Sequence, residues 1–201
     1  MDTDRWNQRY AVGEYIFGEE PNEFLAAHAE VIPRGGPVLC LAEGEGRNGV
    51  HLASLGYAVT GVDASSVGLG KARALADRRG VQLHTVVADL AEYAIAPSSW
   101  SGIVSIFFHL PPSLRRRVLA QVVAGLKPGG AFLLEAYTPG QLKYATGGPK
   151  EIELLPTLAL LEQELAGLKI VHGKELEREV KEGAAHSGRA AVVQVIAVKP
   201  E

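Results

Sequence analysis

The sequence predicts an α/β fold, because short apolar runs alternate with helical segments along most of its 201 residues. Runs such as PVLCLA (37–42) and SGIVSIFF (101–108) are apolar throughout, which is typical of strands buried on both faces of a parallel sheet. Hydrophobic residues make up 47% of the chain and charged residues 21%, an ordinary globular balance. We therefore expect one domain over residues 1–201, with an N-terminal helical segment at 1–31 and an α/β core at 36–201.

The elements follow in order along the chain. The parallel strands are predicted at 37–42, 57–63, 81–89, 101–108 and 131–137. Helices are predicted at 20–32, 47–56, 65–80, 111–126 and 156–168. Ser65 is expected to cap the helix that it begins, and Gly80 to end it.

The C-terminal part follows a different pattern. Two further strands are predicted at 169–180 and 189–199, joined by the short connection 181–188, which forces antiparallel pairing. The predicted sheet is therefore mostly parallel and seven-stranded, with a C-terminal antiparallel hairpin. The glycine-rich segment 138–150 is long for a connection, and we interpret it as a functional loop.

Composition excludes several classes of protein. A net charge of −3 and a pI of about 6.1 argue against a nucleic-acid partner. The single cysteine, Cys40, lies in an apolar run and is predicted to be a core residue, with no disulfide and no metal site. The polar start of the chain and the lack of a long apolar run predict a soluble cytoplasmic protein without a membrane partner. We expect a monomer or a weak homodimer.

A glycine-rich turn follows the first strand. Gly44, Gly46 and Gly49 form G-x-G-x-x-G, and Asp63 ends the second strand 19 residues after Gly44. This matches the dinucleotide fingerprint, in which glycines admit a ligand to the backbone and the acid binds ribose hydroxyls. A tight turn without a ligand is the alternative.

Two details favour a nucleoside other than NAD. The helix after the turn begins with the bulky residues Arg47 and Asn48, and Glu43 precedes the glycines. A carboxylate at Glu43 would repel a pyrophosphate and attract a free amino group. S-adenosylmethionine combines a ribose with a free amino acid and has no phosphate.

These residues carry a resemblance to class I S-adenosylmethionine-dependent methyltransferases. VLCLAEGEGRNGVHLASLGYAVTGVDAS resembles the first two motifs of that family, VVADLAEY the third, GIVSIFFHLPP the fourth and GLKPGGAFLLEAY the turn into strand 5. The opening WNQRYAVGEYIFGEEPNEFLAAH is similar to the tellurite-resistance-type small-molecule methyltransferases. The resemblance implies a Rossmann-like three-layer sandwich, S-adenosyl-L-methionine as cofactor, and methyl transfer to a small acceptor such as a thiol or soft oxyanion.

The resemblance also implies a set of cofactor-binding residues: Tyr10, Glu43, Gly44, Gly46, Asn48, Asp63, Ala64, Ser65, Asp89, Leu90 and Phe107. Three of them have alternatives, since Asp63 could cap a helix, Asp89 could form a turn and Phe107 could belong to the core. The chain departs from the family at Cys40, where an acid is usual, and at Glu43, where a small residue or cysteine is usual.

The acceptor site is predicted from residues near the same edge of the sheet. His109 follows the fourth strand and is the candidate catalytic residue, with binding to the backbone as its alternative. The predicted substrate-binding residues are Tyr15, Phe17, Tyr137, His186 and Arg189, with an exposed surface loop as the alternative for His186 and Arg189. The aromatic residues of the N-terminal segment, Trp6, Tyr10, Tyr15 and Phe17, predict a lid, with an N-terminal helix that is anchored by its aromatic side chains as the alternative.

Two other functions remain open at this point. An NAD(P)-dependent oxidoreductase would explain the literal glycine fingerprint, although YTPGQLK lacks the Tyr-x-x-x-Lys spacing of one such class. A non-catalytic module that binds an adenosyl ligand would explain Asp63 and Asp89 equally well.

Overall fold

In the computed structural model of the chain, residues 3–183 and 186–201 are described, and they contain one seven-stranded sheet. Its strands are β1 (Pro37–Leu41), β2 (Ala58–Asp63), β3 (His84–Val87), β4 (Trp100–Ile106), β5 (Leu126–Tyr137), β6 (Lys169–Glu182) and β7 (His186–Val198). They lie in the order β3-β2-β1-β4-β5-β7-β6. The neighbours among β1 to β5 are parallel, whereas β7 is antiparallel to both β5 and β6. The predicted sheet with its closing hairpin is confirmed.

Helices cover both faces of this sheet. They are α1 (Thr3–Tyr10), α2 (Glu23–His28), α3 (Arg47–Ser54), α4 (Ser66–Arg79), α5 (Pro112–Gly125) and α6 (Leu158–Glu164). Alternate side chains of β1 pack on opposite layers: Leu39 and Leu41 join the core with α5 and α6, whereas Val38 and Cys40 join the core with α2 and α3. Cys40 is buried, as predicted for a core residue.

The predicted ends of α4 are confirmed. Ser65 caps the helix by accepting a hydrogen bond from the Gly68 N–H (3.0 Å), and Gly80 ends it in the left-handed conformation. The helix predicted at 20–32 is shorter: α2 begins after Asn22, whose side chain accepts from the Leu25 N–H (2.9 Å). A short 3-10 turn at Ala29–Val31 follows it.

Several other boundaries differ from the prediction, and β3, predicted at 81–89, spans only His84–Val87. β5 already begins at Leu126, because Leu126 pairs with Trp100 before an irregularity that absorbs the KPGG turn. α6 ends at Glu164, ahead of the left-handed Gly167. In the predicted connection 181–188, β6 runs to Glu182 and β7 begins at His186, while residues 184–185 lie outside the described residues.

The sheet order creates a switch point at its centre. From β1 the chain first adds β2 and β3 on one side, and then crosses back to add β4 and β5 on the other. Ligands of open α/β sheets bind where the strand order reverses, beyond the carboxyl ends of the strands. Within the described residues, no helix has the length and apolarity that crossing a membrane requires.

Candidate functional site

The loop between β1 and α3 needs glycine at two positions. Gly44 has a φ of +60° and Gly46 a φ of +97°, which side chains rarely adopt. A Cβ on Gly46 would lie 2.6 Å from Cα of Ala72, and one on Gly44 would lie 2.7 Å from the hydroxyl oxygen of Tyr10. The two glycines therefore let this loop pass close to α4 and α1. Gly44 lies in the wall of a cavity, and Gly46 lies behind it.

Asp63, at the end of β2, joins this loop to the start of α4. Its Oδ2 accepts a hydrogen bond from the Gly44 N–H (2.9 Å), and its Oδ1 accepts one from the Ser65 N–H (2.7 Å). Burial raises the pKa of Asp63, and the backbone hydrogen bonds oppose that rise. A carboxylate offers about four lone-pair directions, so Asp63 retains capacity for a ligand hydroxyl group. The geometry fits a ribose-binding carboxylate that also orders the loop.

Glu43 is turned inward, beneath the glycine loop. Its Oε1 accepts a hydrogen bond from the Gly49 N–H (2.7 Å) in the first turn of α3, and its carboxyl group also bonds to the Cys40 thiol. A Cβ on Gly61, which pairs with Cys40 across the strands, would lie 2.8 Å from Cγ of Glu43. Burial raises the pKa of Glu43 to about 7. The acid thus lies against Cys40, the position where the resembled family usually has it, and it caps α3.

The N-terminal segment closes over the glycine loop. Tyr10 lies across Gly44 and Gly68 and stacks with Trp6 (ring centroids 5.5 Å apart). Burial and the nearby Asp63 and Glu45 raise the pKa of the Tyr10 hydroxyl, so it remains protonated.

Glu45 also fastens this segment to the loop. It accepts a hydrogen bond from the Phe17 N–H (3.2 Å) and forms an ion pair with Lys71 (2.5 Å). Lys71 in turn donates to the backbone carbonyls of Val12 (3.1 Å) and Glu14 (2.5 Å). These contacts fix the N-terminal segment against the glycine loop and α4.

One cavity of about 560 Å³ runs along the carboxyl ends of the strands. At about 4.8 Å per strand, the distance from the end of β2 to the end of β5 is roughly 14 Å. The predicted site residues in its wall are Tyr10, Phe17, Glu43, Gly44, Asn48, Asp63, Ala64, Leu90, Phe107, His109, Tyr137 and His186. Gly147 and Gly148 of the predicted functional loop also line it. Most of the predicted residues are therefore brought together.

His109 is tied to the backbone. Its Nε2 accepts a hydrogen bond from the Tyr137 N–H (3.0 Å), so Nδ1 carries the proton, and the ring also bonds to the Phe107 backbone. Burial and the neighbouring His186 lower the pKa of His109 to about 3. This geometry favours the backbone-bound alternative over proton transfer. His109 holds the β4–α5 loop to the end of β5.

Aromatic rings form the opposite end of the cavity. Phe107 lies 4.5 Å from Tyr137 and 4.9 Å from His186, measured between ring centroids, and Phe17 lies 4.7 Å from His186. Phe107 has a φ of +51°, an unusual conformation for a non-glycine residue that turns the chain at the end of β4. It belongs to this aromatic end, where it contacts predicted acceptor residues.

A buried polar network lies next to these rings. Nη2 of Arg47 is 2.6 Å from Oε2 of Glu182, and Oε1 of Glu182 accepts from Nδ2 of Asn22 (2.7 Å). Arg178 pairs with both Glu182 (3.3 Å) and Glu135 (2.8 Å). Although burial opposes it, the neighbouring His186, Arg47 and Asn22 side chains hold the pKa of Glu182 at about 2.

Two predicted acceptor residues lie elsewhere. The Tyr15 hydroxyl donates to the Lys71 carbonyl (2.9 Å) on the outer side of α4, away from the cavity wall. Arg189 is exposed and pairs with Glu177 (2.9 Å), because the hairpin register turns its side chain to the solvent. The structure therefore does not bring these two residues into the cavity wall.

Of the remaining cofactor candidates, the structure places some in the cavity wall and others outside it. Leu90 lies in the cavity wall, whereas Asp89 accepts from the Ala91 N–H (2.8 Å) in the turn after β3, which matches its alternative role. Ser65 is fully buried as the α4 cap. Asn48 lies in the wall and accepts from the Asn22 N–H (3.0 Å), which joins α3 to α2.

Sequence reasoning overlooked Arg47, Asn22 and Glu182. The position of Arg47 directly after Gly46 was a local signal for a charged group at the glycine loop. Glu182 lies 135 residues from Arg47, and no local pattern links the two. Among the described residues, no group of three or more His, Cys, Asp or Glu side chains is arranged to hold a metal ion.

Part of the chain is similar to a known protein family. Residues 38–130 match a family described as a methyltransferase domain. A 62-residue stretch is 39% identical to YbaJ, an uncharacterised methyltransferase of Bacillus subtilis. The stretch covers 31% of this chain and only 24% of YbaJ.

Solved structures extend the similarity to the whole chain. One, described as the conversion of a disulfide bond into a thioacetal group during echinomycin biosynthesis, has a TM-score of 0.76 at 20% identity and covers 100% of this chain and 92% of that one. TehB from Haemophilus influenzae has a TM-score of 0.70 at 18% identity, covering 98% and 66% respectively. A SAM-dependent methyltransferase from Methanosarcina mazei has a TM-score of 0.68 at 20% identity, covering 90% and 99%.

At these identities the structural similarity establishes the fold alone, which is that of class I methyltransferases. Together with the sequence match over 38–130, it supports a methyltransferase domain. The acceptor is a separate question, because substrates are set by the cavity and not by the fold.

Proposed function

We propose that this chain is an S-adenosylmethionine-dependent methyltransferase that acts on a small molecule. The observation that carries the proposal is the buried Asp63 carboxylate, bonded to the Gly44 and Ser65 amides at one end of a cavity of about 560 Å³. The cavity continues past the glycine loop to an aromatic end at Phe107 and Tyr137. One end thus suits a nucleoside and the other an acceptor.

The fit of the cofactor rests on the loop. Gly44 admits no side chain, and Ala64 and Leu90 offer apolar contacts for a base. Asp63 accepts backbone hydrogen bonds from Gly44, Ala64 and Ser65 and retains about one lone-pair direction for a ribose hydroxyl. When bound, S-adenosylmethionine supplies an electrophilic methyl group on a positively charged sulfur. Aromatic faces such as those of Tyr10 and Phe107 stabilise positive charge.

The chain itself contributes to the reaction by positioning the two reactants and by excluding water from the cavity. The segment that carries Trp6, Tyr10 and Phe17 covers the cavity, and His109 fixes the loop after β4. Aligning two reactants in a closed site supplies much of the rate of a displacement reaction. An acceptor that arrives as an anion needs no general base, which agrees with a neutral, backbone-bound His109.

The size of the cavity, and the chain segments that cover it, support a small acceptor such as a thiol or soft oxyanion. They also support a protein that works without nucleic acid or membrane. We further propose that it acts in the cytoplasm as a monomer or weak homodimer.

The test is a calorimetric titration with S-adenosylmethionine, S-adenosylhomocysteine and NADH. We expect the two adenosyl amino acids to bind and NADH not to. Asp63→Ala should weaken their binding at least tenfold, because it removes a charged hydrogen-bond acceptor. Asp77→Ala, at an exposed position on α4, is the matched control and should bind as the wild type does. Binding of NADH alone would replace this proposal by an oxidoreductase.

A second measurement separates an enzyme from a binding module. The protein is incubated with methyl-labelled S-adenosylmethionine and a set of small thiols and oxyanions, and labelled products are counted. Tight binding with no transfer to any of them would favour a module that only binds the adenosyl ligand.

A further inference from the structure

At the aromatic end of the cavity, two buried polar atoms have no hydrogen-bond partner within the described part of the chain. They are Nη1 of Arg47 and the hydroxyl oxygen of Tyr137, and Nδ1 of His186 beside them lies 3.9 Å from Oε2 of Glu182. Buried polar groups of folded proteins are nearly always paired, and an unpaired one lowers stability. Two such atoms in one wall therefore call for a partner that enters the cavity.

The Arg47 side chain is held in place by the polar network. Its Nη2 is 2.6 Å from Oε2 of Glu182, and Glu182 is itself held by Asn22 (2.7 Å) and Arg178 (3.3 Å). The guanidinium group is planar, so fixing one nitrogen also fixes the direction of the others. Nη1 is thus a donor whose direction is set before any ligand binds.

The acidic groups of this network already have partners. Glu182 is paired with Arg47 and Arg178, and Glu135 accepts from Asn22 (2.5 Å), Arg178 (2.8 Å) and Gln194 (2.8 Å). Arg47 Nη1 can only donate a hydrogen bond, and the Tyr137 hydroxyl can donate one. What this end of the cavity lacks is therefore an acceptor of hydrogen bonds.

A second arginine faces the same cavity. The guanidinium carbon of Arg9 lies 5.3 Å from the ring centroid of Trp6 and 5.2 Å from that of Phe17, and Arg9 lines the cavity. Positive charge along a cavity with apolar walls attracts anions and raises their local concentration. Donors and charge thus point to the same kind of ligand.

We propose that Arg47 and Tyr137, with His186 beside them, form a subsite for an anionic oxygen group on the methyl acceptor, either a carboxylate or an inorganic oxyanion. This inference rests on the proposed function, because it assigns the acceptor end of the same cavity. Arg47 directly follows Gly46, so an anion on its Nη1 is held next to the glycine loop. Arg47 and Tyr137 are then residues that determine acceptor specificity.

The test measures binding to protein saturated with S-adenosylhomocysteine. Benzoate and selenite are the two anionic probes, and benzyl alcohol is the uncharged match for benzoate. We expect at least one anion to bind, and benzyl alcohol to bind at least tenfold more weakly than benzoate if the carboxylate is the preferred group. Stronger binding of selenite would identify an inorganic oxyanion as the source.

Two variants test the residues. Arg47→Lys keeps a positive charge for Glu182 but loses the second fixed donor, and should weaken anion binding at least tenfold. Tyr137→Phe removes only the hydroxyl and should weaken it about fivefold. Arg189→Lys, at an exposed position outside the cavity, is the matched control and should leave anion binding unchanged. All three should bind S-adenosylhomocysteine within twofold of the wild type.

Several results would overturn the subsite. Anion binding that is unchanged in both variants would do so, and so would anions that bind no better than benzyl alcohol. If Arg47→Lys weakened only S-adenosylhomocysteine, Arg47 would bind the carboxylate of the cofactor product instead. If Tyr137→Phe lowered the melting temperature and left anion binding intact, an internal water would be the partner of the hydroxyl.

Failure of the proposed function would look different. Wild-type protein would then not bind S-adenosylhomocysteine at all. The same anion titrations on unloaded protein and its variants would still decide whether the subsite exists.

Discussion

Nη2 of Arg47 and Oε2 of Glu182 lie 2.6 Å apart, and both side chains are nearly buried, although 135 residues separate them. Arg47 begins α3 directly after the glycine loop, whereas Glu182 ends β6 in the C-terminal hairpin. The pair therefore joins the proposed cofactor end of the cavity to the hairpin.

The first prediction concerns Glu182. Glu182→Gln should lower the free energy of unfolding by about 3 kcal/mol near pH 7, because it leaves the buried Arg47 without its charge partner. Urea denaturation measures the change. Glu179→Gln, at an exposed position of the same strand, should change it by less than about 0.5 kcal/mol.

Acid titration adds a check on the same residue. The pKa of Glu182, held at about 2, is below its usual value of 4.5. Its contribution to the free energy of unfolding is therefore present above pH 4.5 and is lost as the pH falls toward 2. Glu182→Gln should remove that part of the acid sensitivity. Equal stability of variant and wild type at pH 7 would contradict a stabilising role for the pair.

Glu43 is predicted to make the stability depend on pH in the opposite sense. Burial raises its pKa from 4.5 to about 7 in the folded protein. Its stabilising contribution is therefore full below pH 4.5 and is lost as the pH rises through 7. The loss is on the order of 3 kcal/mol for a shift of this size.

Glu43→Gln should retain the stability that the wild type loses between pH 4.5 and 7, since an amide oxygen can still accept from the Gly49 N–H. Thermal unfolding at several pH values measures this. Glu92→Gln is the exposed control and should follow the wild-type curve. Parallel curves for Glu43→Gln and wild type would mean that the buried carboxyl group does not titrate in this range.

Gly46 is predicted to tolerate no side chain. Gly46→Ala adds a Cβ that would lie 2.6 Å from Cα of Ala72, at a φ of +97°. Strain and displaced backbone should lower the free energy of unfolding by about 2–3 kcal/mol and weaken S-adenosylhomocysteine binding. Gly70→Ala, inside α4 with only Arg73 Nη2 within 4 Å, should be neutral or stabilising by up to about 1 kcal/mol. Similar effects at both glycines would contradict the close contact.

His109 is predicted to act as a tether. His109→Phe leaves the Tyr137 N–H unpaired and should lower the free energy of unfolding by about 1–3 kcal/mol. His109→Gln keeps an acceptor and should lose less. Burial lowers the pKa of His109 from 6.5 to about 3. Its contribution to the free energy of unfolding is therefore present above pH 6.5 and declines as the pH falls toward 3.

The rate of methyl transfer separates the tether from a base. Above pH 6.5, the pH profile of His109→Gln should have the wild-type shape. His84→Gln, at an exposed position, is the control. A stable His109→Gln variant with its transfer rate reduced a hundredfold would assign proton transfer to His109.

Much of the fold was determined by local sequence. Buried strands such as β1 and β4 are apolar along their length, Ser65 and Gly80 mark the ends of α4, and the short connection before His186 imposes an antiparallel hairpin. Each of these signals acts between residues a few positions apart. The glycine loop was equally visible, because its conformation requires glycine at its own positions.

Contacts between distant segments were decided only by the tertiary structure. The sequence placed His186 and Arg189 together near the acceptor, but the β6–β7 register turns His186 into the cavity and Arg189 toward Glu177. Arg47 meets Glu182 only once α3 and the hairpin lie at the same edge of the sheet. Local patterns determine which elements form, whereas register and packing determine which side chains face one another. For Arg47 and Glu182, that choice depends on residues more than a hundred positions apart.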